Sequence, residues 1–434
     1  MTYKQAVDFL EGRERFGIRL GLDNMARLCG RLGNPERRLA SFHIAGTNGK
    51  GSTARIIATI LLKAGYRTGL YTSPHLLDTR ERIQIDNRLI SRADFASLIT
   101  EIEPVITDLS RVLPHSPTYF ETITAAAFLH FSRKNIDYAV VEVGMGGRLD
   151  ATNLLNPLVS IITPIGLEHR HFLGKTLAAI AGEKAGIIKQ GRPIVSAKQS
   201  LAALRVIKAR AAEKKASVYL AGSPSPLPSP LRGEGRVRGL TISLPGQFQV
   251  ENAAVACLAL RAAGVEVKEG VLRSALKDIS WPGRLQVVSR KPLIIFDVSH
   301  NPPAVKTLVA NLAGLYPGRK TTFLFGVLED KDYLSMLKYL GDYGERFFFT
   351  RPYSNRAREP RKLADTFRRV YQKKECRVIP EPKDAFREAV KSLGKDDLLC
   401  ICGSFYLAPL LQNFKSSNVG EGLCPLPWAG IRLR

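Results

Sequence analysis

Short apolar runs recur along the first half of the chain: SFHIAG near 41, TGLYT near 68, DYAVVEV near 137, PLVSIIT near 157 and RPIVSA near 192. They are near-continuous in apolar and β-branched residues, as expected for strands buried on both faces of a parallel sheet. Between several of them lie segments with helical spacing, such as STARIIATILLKAG and ETITAAAFLHFSRKN. A second alternation starts at PLIIFDVS near 292 and continues through TTFLFGV, ERFFFT, CRVIP and DLLCICGS. The pattern predicts an α/β protein with a mainly parallel sheet domain over residues 1–284 and a smaller, Rossmann-like α/β domain over residues 285–415. The break falls in WPGRLQ, Trp281 to Gln286, where a Pro-Gly pair interrupts any regular element. Residues 222–239, GSPSPLPSPLRGEGRVRG, are poor in core-forming side chains and are expected to form a disordered insert between two strands. Residues 416–434 have the same character and are expected to be a disordered tail.

Composition sharpens this only in part. The 434 residues, 45% hydrophobic and 24% charged, suit a soluble globular protein with sizeable cores. No run of about 18 apolar residues occurs and the first residues lack a basic-then-apolar signal pattern, so a cytoplasmic protein without membrane association is expected. The six cysteines form no C-x-x-C pair, and Cys400 and Cys402 alternate along LLCIC on one strand face, which favours buried free thiols. A net charge of +25 suits a polyanionic partner: nucleic acid, a triphosphate or a polycarboxylate. No basic helix, zinc-finger spacing or aromatic RNA-binding stripe accompanies it, so dedicated nucleic-acid binding is not expected.

Candidate chemistry begins at FHIAGTNGKGST, residues 42–53, where an apolar strand enters a glycine-rich turn and then a helix. Gly46, Gly49 and Gly51 allow the backbone to bend closely around a phosphate, the helix start offers N–H groups, and Lys50 supplies charge for the outer phosphates. The N-terminal domain is therefore read as P-loop-type. The ordinary G-x-x-x-x-G-K-[ST] motif would need glycine at Ile44 and a hydroxyl at Gly51, and Ser52 is the next hydroxyl available to magnesium. YTSPHLLDTRERI, residues 71–83, follows a strand and places Ser73 at the sheet's carboxyl end, as a ligand or as a turn cap. VVEVGMGGRLDATN, residues 140–153, delivers Glu142 at the end of a buried strand, either to magnesium or to a base such as Arg148, before the glycines and Asp150. Further on stand His169, then Glu183 and Lys184 in AGEKAGIIK, read as a helix start, and Asp297, His300 and Asn301 in FDVSHNP. Two strand ends facing each other across a linker would make a ligand cleft.

In this order the segments resemble the folylpolyglutamate synthase and dihydrofolate synthase family of the Mur ligase superfamily. The resemblance runs from about residue 15 to 410 and rests on GTNGKGST, TSPHL with ERI, TYFETITAAAF, VEVGMGGRLDATN, EKAGIIK, WPGRLQ, HNP and GSFYLAP together. It implies ATP and two magnesium ions as cofactors. Gly46, Thr47, Asn48, Gly49, Lys50, Gly51 and Ser52 would cradle the nucleotide, with Asn252 and Asp297 as further nucleotide contacts and Arg284 and His300 on its phosphates. Ser52 would serve one magnesium near Glu142, and Ser73, Glu142 and His169 the second. Lys184 matches a lysine that is carbamylated in the family, and Asp150 lies where the pterin is held. Lys50, Lys184, Arg284 and His300 are thus the implied catalytic set.

The implied activity is ATP-dependent addition of L-glutamate to dihydropteroate, to folates, or to both, through an acyl phosphate, by a monomer whose C-terminal domain closes on the first. Glu168, where an aspartate is usual, Phe248 for histidine, Val298-Ser299 for Gly-Ala, and the insert at 222–239 depart from the pattern. A ligase of peptidoglycan peptides, a small-molecule kinase and a nucleic-acid binder are the rival readings; TSPHL and GGRLDATN argue against the first.

Overall fold

The computed structural model describes residues 1–17, 19–222 and 241–413. Nearly all of the insert expected at 222–239, and the tail expected at 416–434, lie outside them. The chain divides into two units, the first Met1–Ser243 with Phe248–Ile279, the second Leu244–Gln247 with everything from Ser280 on. Arg284, on which the sequence reading ended the first domain, therefore groups with the second. Its turn is tied to that unit's sheet, since the neighbouring Leu285 amide donates to Asp297 at 2.8 Å.

The first unit is built on eight strands: β1 (Ser41–Ala45), β2 (Thr68–Tyr71), β3 (Ile83–Ile85), β4 (Arg88–Leu89), β5 (Tyr138–Glu142), β6 (Val159–Ile162), β7 (Ile194–Ser196) and β8 (Val218–Leu220). Their order is β4-β3-β2-β5-β1-β6-β7-β8, and β2, β5, β1, β6, β7 and β8 run parallel. β1 is central, with Ile44 in register with Glu142 of β5 and Ile161 of β6. Every residue of β1 is buried, the polar Ser41 and His43 included, as expected of a central strand covered on both faces. The carboxyl ends of β1, β2, β5 and β6 consequently share one sheet edge, the usual place for a ligand in such folds.

The hairpin of β3 and β4 is one part that the apolar pattern does not reveal. These strands are three and two residues long, too short for periodicity to register. Asp86 and Asn87, both at positive φ (52° and 61°), make the tight turn between them. Helix starts are locally coded. The helix Tyr119–Arg133 opens with a capping box between Thr118 and Glu121, and Asn301 caps the helix Pro302–Leu315, which begins with two prolines.

The second unit has six strands: β9 (Gln286–Arg290), β10 (Leu293–Phe296), β11 (Thr321–Phe325), β12 (Arg346–Phe349), β13 (Glu375–Val378) and β14 (Leu398–Cys402). The order is β13-β12-β11-β14-β10-β9, parallel except for β9. The rings of Phe323, Phe347 and Phe349 stack along the neighbouring strands β11 and β12 and join Phe367 in the core. Cys29, Cys257, Cys376, Cys400 and Cys402 are free thiols, and no described helix is long and apolar enough to cross a membrane.

Candidate functional site

β1 runs out at Ala45 into the turn Gly46–Gly49. A Cβ on Gly46 would lie 1.8 Å from the Thr163 hydroxyl, and one on Gly49, at φ 87°, would lie 2.6 Å from Asn252 Oδ1. Both positions therefore require glycine. The amides of Thr47 and Asn48 donate to the Pro164 carbonyl at 3.0 and 3.3 Å. The Thr47 hydroxyl donates to Gly166 O and accepts from Gly166 N. These bonds pin the loop to the segment that follows β6.

Lys50 begins the helix Lys50–Lys63, and its Nζ folds back to donate to Thr47 O at 3.2 Å. The same ammonium stands 4.0 Å from Glu142 Oε1. Glu142, the last residue of β5 and 4% exposed, accepts the Ser73 amide on Oε2 at 3.1 Å. Three widely separated motifs thus meet at one edge, and Arg148, the alternative partner for Glu142, pairs with Glu183 instead. Ser52 is buried in the first turn of the helix and Gly51 is buried beside it. Asn252, held by Gln249 through its amide, stands against Gly49.

Lys184 lies in the last turn of the helix Leu177–Ala185 rather than at a helix start. The helix begins earlier than the motif suggests because Thr176 caps it through the Ala179 amide. Lys184 is almost fully buried, and its Nζ donates to Gly46 O at 2.8 Å and to Glu168 Oε1 at 3.0 Å. Burial pulls Lys184 down to about 8, partly offset by Glu168. Burial alone would raise Glu168, but Lys184, Lys50 and His169 outweigh it and hold the carboxyl at about 2. At neutral pH the two groups form an ion pair that joins the glycine loop to the residue preceding His169. His169 itself is half-buried, at φ 46°, a backbone region that few residues other than glycine adopt.

Removing one charge of a buried pair strands the other. Glu168→Gln is therefore expected to destabilise the first unit by about 3–5 kcal/mol, read by urea denaturation. The sign with pH follows from a folded value of about 2 below the ordinary 4.5. Glu168's contribution is complete above pH 4.5 and fades as the pH falls toward 2. An unchanged midpoint in the variant would show the pair to be energetically idle.

Asp150 is 5% exposed, and burial pushes its carboxyl up. Its oxygens accept from the amides of Met145 and Thr152 at 2.9 and 3.0 Å and from the Thr152 hydroxyl, which also meets Nε2 of the buried His43 at 2.8 Å. Asp150 thus shapes the glycine loop 144–150 from within.

Among the described residues no group of three His, Cys, Asp or Glu side chains could hold a metal ion. The set Ser73, Glu142 and His169 contains two such side chains and a hydroxyl. Carboxylate and hydroxyl oxygens suit magnesium, and the imidazole leans toward manganese.

In the second unit Asp297, at the end of β10 and 3% exposed, accepts from the Leu285 amide on one oxygen and from the Ser299 amide and hydroxyl on the other. It thereby fixes the residues next to Arg284 and His300. The His300 Nδ1 faces the Val298 carbonyl at 3.0 Å, so Nδ1 carries the proton. The Arg284 guanidinium lies over the Phe405 ring at 5.9 Å.

Residues 44–260 match the Mur ligase middle domain, and residues 283–405 match the Mur ligase glutamate ligase domain. The chain is 34% identical over 425 residues to the dihydrofolate synthase/folylpolyglutamate synthase of Bacillus subtilis, covering 93% of this chain and 97% of that protein. The chain belongs to the dihydrofolate synthase/folylpolyglutamate synthase family. Escherichia coli FolC, solved in complex with DHPP and ADP, matches this family member with a TM-score of 0.83 and 31% identity over 94% of this chain and 96% of that one. The bifunctional folylpolyglutamate synthase/dihydrofolate synthase of Yersinia pestis, complexed with AMPPNP and Mn ion, matches with a TM-score of 0.81 and 32% identity over 94% and 96%.

Two features of this family member escape the motifs. Glu168 was visible only as a departure from the aspartate pattern, and nothing in the sequence pairs it with Lys184, 16 residues on. The His43–Thr152–Asp150 chain joins residues 109 apart through the register of β1, a link no local pattern carries.

Proposed function

We propose that the chain adds L-glutamate to dihydropteroate, to folates, or to both, at the expense of ATP. The observation that carries this is Lys50, folded over a glycine-walled loop and facing Glu142, in a chain of this family. A carboxylate does not condense with an amine in water, because its oxygen is a poor leaving group. Transfer of the γ-phosphoryl group to the substrate carboxylate gives an acyl phosphate; the glutamate amine attacks the carbonyl carbon, and phosphate departs. The protein's part is positioning and charge neutralisation. Lys50 and the amides at the start of its helix would hold the nucleotide phosphates, Arg284 and His300 would be phosphate contacts from the second unit, and Asn252 and Asp297 would contact the nucleotide. Asp150 would set the shape of the loop on which the pterin rests. Magnesium, held by Ser52 near Glu142 and by Ser73, Glu142 and His169, would supply further positive charge to the phosphates when bound.

The carbamylation proposed for Lys184 is favoured by the lowered value of its amine, since the neutral form takes up carbon dioxide. Glu168, 3.0 Å away, opposes it with like charge. The carbamate carbon resonance of the intact folded protein in 13C-bicarbonate reads which prevails.

His169→Ala is expected to slow single-turnover formation of the acyl phosphate by about tenfold or more, with ATP affinity changed far less. Manganese should restore the wild type at low metal better than it restores the variant. Parallel ATP-binding and single-turnover measurements decide: lost ATP binding with an intact chemical rate would make His169 a nucleotide contact or a loop support. Substrate choice is tested by supplying dihydropteroate and tetrahydrofolate separately with ATP and glutamate and identifying the product by mass.

A further inference from the structure

GSFYLAP, residues 403–409, carries none of the roles assigned above, yet the first of its two aromatic residues, Phe405, meets both His300 and Arg284. Gly403, at φ 107°, leaves β14 so close to Gly326 that a Cβ would lie 2.4 Å from the Gly326 carbonyl. Its amide donates to Ser299 O at 3.0 Å. Ser404 is buried, and its carbonyl and hydroxyl accept from the amides of Leu407 and Tyr406. The Tyr406 carbonyl in turn accepts the Tyr353 amide at 3.0 Å. The backbone on both sides of Phe405 is therefore fixed, and fixed against the residue that precedes His300.

The half-buried Phe405 ring meets two groups from distant parts of the chain. The His300 ring lies with its centroid 5.3 Å away at an interplanar angle of 51°, and the Arg284 guanidinium stands over the ring at 5.9 Å. The backbones beside those two residues are already held by Asp297, through Leu285 and Ser299. Their side chains are a separate matter: an arginine on a half-open surface samples many rotamers, and a guanidinium over an aromatic face has fewer. The imidazole likewise has one nitrogen committed to Val298 O, so its plane is set by that bond and by the neighbouring ring.

We propose that Phe405 is a positioning residue that holds the side chains of Arg284 and His300 in register as one unit for the transferring phosphoryl group. This rests on the assignment of those two residues as phosphate contacts. Leucine at 405 keeps apolar bulk but removes the flat, electron-rich face, whereas tyrosine and tryptophan keep it. The device explains why an aromatic residue that is only half-buried follows a buried Ser404 at a strand end.

The test uses the full-length chain with ATP, magnesium, dihydropteroate and L-glutamate. Phe405→Leu should lower single-turnover phosphoryl transfer by about tenfold, because a loosened charge costs far more in rate than in folding. Phe405→Tyr and Phe405→Trp should recover most of it. In an Arg284→Ala, His300→Ala background, Phe405→Leu should cost less than about twofold more, since its effect passes through those residues. Independently of turnover, the His300 Cε1–H resonance should move in Phe405→Leu as the ring current is lost. Wild-type transfer in Phe405→Leu, an unmoved His300 resonance, or an equal loss in the double-variant background would overturn the proposal. If Arg284→Ala, His300→Ala alone turns over at the wild-type rate, the phosphate-contact assignment fails instead, and that result is distinct from the others.

Discussion

Replacing Lys50 with alanine is expected to lower ligation by about a thousandfold while leaving thermal unfolding nearly unchanged. The Lys50 side chain is 15% exposed and makes one hydrogen bond, to Thr47 O, with Glu142 at the edge of ion-pair range. It fills no core position, and alanine is a good helix former, so the first turn of the helix Lys50–Lys63 survives. What is lost is a fixed positive charge beside a loop whose amides and glycines otherwise carry only partial charge. Turnover within about tenfold of wild type in a folded variant would remove the loop from the chemistry.

The second large effect is expected at Glu142. Glu142→Gln keeps the shape of the side chain and an oxygen for the Ser73 amide, 3.1 Å away, yet removes a buried charge that faces Lys50. If that charge serves magnesium as well as Lys50, maximal turnover should fall by about a hundredfold, and the magnesium concentration for half-maximal rate should rise by about tenfold or more. A variant with normal magnesium dependence and lowered rate would make Glu142 a partner of Lys50 alone.

The sheet and the glycine turn that follows β1 are readable because each is written locally. Apolar runs such as YAVV in β5 suit a strand covered on both faces, and Gly46 and Gly49 leave no room for a side chain. Glu142 was readable by position, since a strand that ends on an acid must present it at the carboxyl edge. The hairpin of β3 and β4 and the strand β9 were not, being too short or too close to the Pro-Gly break for any period to show. Lys184 sits in the last turn of its helix, not at the start that its motif suggests, because the cap, Thr176, lies outside that motif. Its partner Glu168, and the support of Arg284 and His300 by Phe405, depend on strand order and turn geometry, which no sequence window contains.

The most direct measurement is ADP and phosphate release from ATP by the purified protein, with each co-substrate withheld in turn. The account predicts release only when L-glutamate is supplied together with dihydropteroate or a folate, one phosphate per glutamate joined. Release that ignores glutamate and leaves a phosphorylated product would contradict it in favour of a kinase, and salt-sensitive nucleic-acid binding without ATP turnover would contradict it altogether.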